Sequence, residues 1–133
     1  MIYPVDVRDS AALASAAESF MQQHGTPNIV IANAGVSRGT LTEHIEDIAA
    51  FQAIMDINVM GLVHTFQPFI AAMRQAGAKG ENAQLVGVAS VAGIRGLPGA
   101  GAYSASKAAA ISYLESLRVE MTQHNIAVTT IAP

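Results

Sequence analysis

The chain has 133 residues, a net charge of −3, 51% hydrophobic and 13% charged residues, and no cysteine. That length suits one domain with its own core, and the apolar content excludes a disordered chain. Lacking cysteine, it can form no disulfide, thiolate nucleophile or thiolate metal site. The seven Lys and Arg are scattered, so there is no basic stripe for nucleic acid or an anionic membrane. Charged content is about half the usual ~25%, which predicts much surface buried in the core or against a partner. His24, His44, His64 and His124 show no paired ligand spacing, so no metal site is expected. The start lacks the basic and long apolar regions of a signal peptide. No apolar run reaches the roughly 18 residues of a membrane span, and a cytoplasmic protein is expected.

Short β-branched runs alternate with helical segments. Ile2 to Val7 reads as a strand. Asp9 or Ser10 then caps a helix with Leu13, Ala16, Ala17, Phe20 and Met21 on one face and Gly25 as its stop. Asn28 to Ala32 is a second strand, apolar in its middle like a strand covered on both faces. Ile48, Phe51, Met55, Val59, Leu62, Phe66 and Ile70 recur at helical steps, with Pro68 expected to kink the segment or mark its weakest turn. Ala83 to Ala89 is a third strand. A glycine-rich loop from Gly93 to Gly101 leads into a helix from about Ala102 to His124, with Ile111, Leu114, Leu117 and Met121 buried. Ala127 to Ile131 is a fourth strand. The alternation predicts an α/β fold, a doubly wound parallel sheet of about four strands and three helices, forming one domain over 1–133.

In such sheets ligands gather at the carboxyl ends of the strands, where Asp6, Asn33 to Gly35 and Ser90 fall. Tyr103 and Lys107 lie four apart near a helix start; one turn separates them by about 40° and about 6 Å of rise, so they share a face. Lys107 continues into the stripe of Ile111 and Leu114, so it points coreward and needs a partner or a task. A free phenol has a pKa near 10, and a nearby ammonium favours its anion. A phenol so tuned can exchange a proton with an alcohol or a nascent alkoxide. Ser90, at a strand end, offers a hydroxyl to the same oxygen. Asn58 falls on the apolar stripe of Met55 and Leu62, so its amide must find buried partners.

These residues together resemble the short-chain dehydrogenase/reductase family. The matching motifs are Asp6-Val7, Asn33-Ala34-Gly35, Asn58 in Ile-Asn-Val-Met-Gly, Ser90, and Tyr103-Ser-Ala-Ser-Lys107-Ala-Ala. Met121 to Pro133 resembles the family's approach to its Pro-Gly turn, and Ala32 stands where many members carry a further asparagine. The resemblance implies an oxidoreductase using NAD or NADP, with a small alcohol or carbonyl substrate. It makes Tyr103 the general acid/base, with Lys107 tuning it and holding the nicotinamide ribose. Ser90 would orient the substrate oxygen, and Asn58 would hold a water in a proton relay. Asp6 and Val7 would meet the adenine end, while Asn33, Ala34, Gly35 and Pro133 would line the cofactor cleft. The loop Ile94 to Ala100 would sit beside the substrate. A homodimer or homotetramer on the helices of Asn58 and Lys107 is implied too.

Against the family pattern, the sequence holds no strand, glycine-rich turn and helix for a pyrophosphate, and it ends at Pro133. It therefore reads as a partial Rossmann-like domain that does not turn over alone. Asn28 to Ala32 is expected at an exposed apolar sheet edge. The alternative reading is a non-catalytic dinucleotide-binding or interaction protein on the same fold.

Overall fold

The computed structural model describes residues 1–133. Asp9 caps the first helix, α1 (Ser10–His24), by accepting from the Ala12 amide at 2.9 Å, and Gly25 ends it with φ of 78°. The β-branched run after it pairs as β1 (Ile29–Ala32). A long helical stretch then divides into α2 (Ile48–Met55), a π-helical turn at Asp56–Met60, and α3 (Gly61–Ala78). It leads into β2 (Ala83–Val88), and α4 (Gly101–Thr122) connects β2 to β3 (Ile126–Ile131). The three strands are parallel in the order β1-β2-β3, with Val30 beside Leu85 and Leu85 beside Val128.

That register sends Val30, Leu85, Ile126 and Val128 to one face, where they meet Leu62, Phe66 and Met73 of α3 and Leu114 and Leu117 of α4. Both sheet-packing helices bear on this face. Ile29 and Ile31 point the other way and stay 55% and 57% exposed. Coverage of β1 on both faces, expected from its apolar run, is therefore not found within these residues. β1 does lie at the sheet edge, as expected, because it pairs with β2 alone.

Two further expectations need correction. Ile2 to Val7 is not a strand, so the sheet has three strands rather than four. Strand propensity needs a ladder partner, and none lies alongside. Side chains anchor the segment instead: His64 Nδ1 lies 2.9 Å from the Val7 carbonyl, and the Tyr3 hydroxyl lies 3.4 Å from Ser19 Oγ. Pro68 lies inside α3, and a π-helical irregularity that the sequence did not signal falls ahead of it at Asp56–Met60. Such a one-residue widening is a recurrent device at functional sites, and here it carries Asn58. Ile48 and Phe51, expected in the core, are exposed because α2 packs on α4 beyond the sheet.

Within helical residues Ile45–Ala78 one 18-residue window reaches a mean hydropathy of 1.3, the length and composition of a membrane span. Part of this stretch is used inside the fold, with Phe66 and Met73 fully buried against the sheet.

The C-terminal turn of α3 touches the turn between α4 and β3 so closely that a Cβ on Gly77 would collide with the His124 carbonyl. Gly77→Ala should lower stability by about 1–3 kcal/mol, read as the urea midpoint. Gly96→Ala, whose Cβ would enter open space, should stay within about 0.5 kcal/mol.

Candidate active site

The carboxyl ends of β1 and β2 and the first turns of α4 enclose a cleft of about 230 Å³. Asn33 and Gly35 enter it from β1, Val88 and Ala89 from β2, Tyr103 and Lys107 from α4, and Pro133 closes one side. Lys107 is 5% exposed, and its Nζ donates to the Val88 carbonyl at 2.9 Å, its one hydrogen bond to the chain. No carboxylate pairs with it. Burial pushes its pKa below the ordinary lysine value of 10.5. The ammonium lies 5.8 Å from the centroid of the half-buried Tyr103 ring. Two of its three N–H groups remain for a ligand.

Gly35 forms the floor, since a Cβ there would lie 3.4 Å from both Lys107 Nζ and Asn58 Oδ1. Asn58 is 2% exposed and fully engaged. Its Oδ1 accepts from the Val36 amide at 2.8 Å, and its Nδ2 donates to the Val36 carbonyl and to Ser106 Oγ, each at 2.9 Å. Both amide hydrogens are committed to the protein, so the side chain locks the loop after β1 in place. A water in a proton relay, as the family resemblance implies for Asn58, would have to be held by another group of this residue, such as its main chain.

Ser90 sits at the end of β2 as expected, but its hydroxyl does not line the cleft. It accepts from the Ala92 amide at 3.2 Å, capping the 3-10 turn Val91–Gly93, and makes a long 3.4 Å contact to the Pro133 carbonyl. Pro133 also accepts from the Val91 amide at 3.0 Å. Asp6 and Val7 lie apart from the cleft-lining set. Asp6 makes a bidentate pair with Arg8, and these hydrogen bonds hold its carboxyl down to about 2. Val7 packs against Gly61, where a Cβ would come 2.6 Å from Val7 Cγ2. Ala34 is exposed between Asn33 and Gly35. No cluster of His, Asp or Glu could hold a metal ion.

Sequence reasoning missed several contributors. Val36 and Ser37 line the cleft directly after the Asn-Ala-Gly turn, a position that could have marked them. Nothing in sequence identifies the Val88 carbonyl as the lysine's anchor, because a backbone acceptor carries no residue signature. α4 receives no side-chain cap from Ala100. Thr40, some sixty residues away in sequence, accepts from the Ala102 amide at 3.4 Å, and its own amide donates to Gly99 at 2.9 Å. This clasp and the Leu97 amide bond to Ser104 Oγ at 3.1 Å hold the otherwise exposed loop Ile94 to Ala100.

A parallel sheet with a Tyr–Lys pair at its carboxyl edge defines a dinucleotide-type α/β domain, and comparison with known proteins identifies its family. The family model for short chain dehydrogenases matches residues 1–133, and the chain belongs to that family. It is 33% identical over 132 residues to 2-dehydro-3-deoxy-L-rhamnonate dehydrogenase (NAD(+)) of Sphingomonas sp., covering 99% of this chain and 51% of that protein. Carveol dehydrogenase from Mycobacterium avium, solved in complex with NAD, superposes with a TM-score of 0.89 at 35% identity, over 97% of this chain and 46% of that one. The 3-ketoacyl-(acyl-carrier-protein) reductase from Brucella melitensis, complexed with NADH, gives 0.90 at 27% identity, over 97% and 53%. The chain thus spans about half the length of the relatives it matches.

Gly93 brings the turn after Ser90 onto α4, where a Cβ would approach the Lys107 carbonyl carbon at 2.6 Å and the Ala108 nitrogen at 2.8 Å. Backbone cannot yield as a side chain does. Gly93→Ala should cost about 1–3 kcal/mol in chemical denaturation.

Proposed function

We propose that the protein carrying this chain is an NAD(P)-dependent oxidoreductase that interconverts an alcohol and a carbonyl compound. One observation carries this reading: a buried lysine without a carboxylate partner stands beside a tyrosine in a cleft at the strand ends. Burying an ammonium is costly, and a surface or core role would not require it next to a phenol.

The cleft suits the nicotinamide–ribose end of a dinucleotide. Lys107 has two N–H groups to offer vicinal hydroxyls, and Gly35 keeps the floor free of a side chain. When bound, the nicotinamide supplies or accepts the hydride. The NAD-linked relatives favour NAD over NADP. Asp6 and Val7 are the proposed contacts at the adenine end.

In the reducing direction Tyr103 gives its phenolic proton to the carbonyl oxygen as hydride reaches the carbon, leaving alcohol and phenolate. The Lys107 charge attracts the negative charge that develops on the phenol oxygen. The 3.4 Å contact of Ser90 to Pro133 lies beyond the usual hydrogen-bond range, so this hydroxyl is free to turn to the substrate oxygen. Asn58 holds the cleft wall through Val36. In oxidation the same steps run backward.

The exposed apolar residues Ile48 and Phe51 of α2 and Val119 of α4 support a homo-oligomer built on these helices; the cytoplasm is the proposed compartment. Neither nucleic acid nor a membrane is a proposed partner.

Tyr103→Phe should lower kcat by about 10²–10⁴-fold and leave cofactor affinity nearly unchanged, as read by steady-state kinetics and nucleotide fluorescence. Unchanged turnover would favour a non-catalytic dinucleotide binder. The pH profile is a second check. Below its lowered pKa Lys107 carries the charge the phenol needs; above it the charge is lost. The alkaline decline of kcat should therefore begin below pH 10.5, the ordinary lysine value.

A further inference from the structure

We propose that Ser106 is a positioning residue for this site: its hydroxyl couples the Asn58-bearing helix to the backbone of Tyr103 and sets where the phenol stands over the cleft. The proposal rests on the reading of Tyr103 as acid/base. Ser106 is fully buried and does not line the cleft.

Its hydrogen bonds have only one consistent direction. Val36 presents both its amide and its carbonyl to the side chain of Asn58. That two-point pairing fixes which end of the amide is oxygen and which is nitrogen, a choice otherwise open. Nδ2 therefore donates to Ser106 Oγ at 2.9 Å, and Ser106 must spend its own proton elsewhere. It donates to the Tyr103 carbonyl at 2.7 Å. A continuous chain thus runs from the loop after β1, through the π-helical turn, to the peptide of Tyr103.

Tyr103 needs such a link. It is the third residue of α4, whose N-cap residue supplies no side chain and whose Ala102 amide is met only by the long 3.4 Å contact to Thr40, and weakly capped first turns fray. A serine bonding back to a carbonyl in its own helix tilts that carbonyl and bends the turn. Here that bond falls on the residue whose oxygen must meet a substrate. The widened turn at Asp56–Met60 gains a purpose too, since it carries the residue that orients Ser106.

The test compares Ser106→Ala and Ser106→Thr in the protein carrying this chain. Ser106→Ala should lower kcat about tenfold, with KM and cofactor Kd little changed, and should quicken amide exchange across Tyr103 to Lys107. Ser106→Thr, which keeps the hydroxyl, should restore most of both. In a Tyr103→Phe background, Ser106→Ala should have no further effect on the residual rate, because its influence runs through the phenol. If Ser106→Ala fails to fold, Ser106→Cys carries the same expectations with a weak donor in similar volume. Unchanged kcat and amide exchange in a folded variant would overturn the proposal. So would an equal loss of rate with and without the Tyr103 hydroxyl. Full turnover by Tyr103→Phe alone would instead overturn the acid/base reading, and the exchange experiment would still judge the coupling.

Discussion

The Lys107 ammonium is held inside the protein by a single backbone carbonyl, that of Val88. A buried cation requires compensation, and this one has no carboxylate to supply it. Several surrounding features then have a common reason. β2 ends where it offers that carbonyl, and Gly35 leaves open the space beside Nζ that a Cβ would fill at 3.4 Å. The turn at Gly93 must pass close to the lysine's own backbone. What would be a stability defect in a structural protein is a poised charge in a catalytic one.

The layered packing serves that placement. α3 and α4 bury their apolar stripes on one face of the sheet, so the start of α4 is carried to the carboxyl edge of β1 and β2. The opposite face keeps Ile29, Ile31 and Ile131 exposed. Together with an edge strand of isoleucines, this is a surface that invites covering. The chain spans only about half the length of its relatives.

Most of the architecture could be read from the residues. The cap at Asp9, the stop at Gly25, the strand cores and the stripe Leu114, Leu117, Met121 all follow local rules of capping and periodicity. So did the Tyr103–Lys107 pair, because a four-residue step on a helix is a local relation. Readings that failed depended on distant partners. Ile2 to Val7 has strand composition but no neighbour to complete a ladder. The π-helical turn ten residues before Pro68 carried no local signal, because it sits where Asn58 bonds the distant backbone of Val36.

The sequence by itself determined the α/β alternation, the family and the identity of Tyr103, Lys107, Ser90 and Asn58, since spacing and residue chemistry are written along the chain. Only the tertiary structure decided what those residues touch. It showed the Asn58 side chain clamping the backbone of Val36, set Ser90 against backbone, and tied Tyr103 to the far loop through Ser106. The physical reason is that hydrogen-bonding groups are satisfied by whichever partners folding brings near. Many of those here are backbone carbonyls and amides, which every residue possesses and no sequence pattern distinguishes.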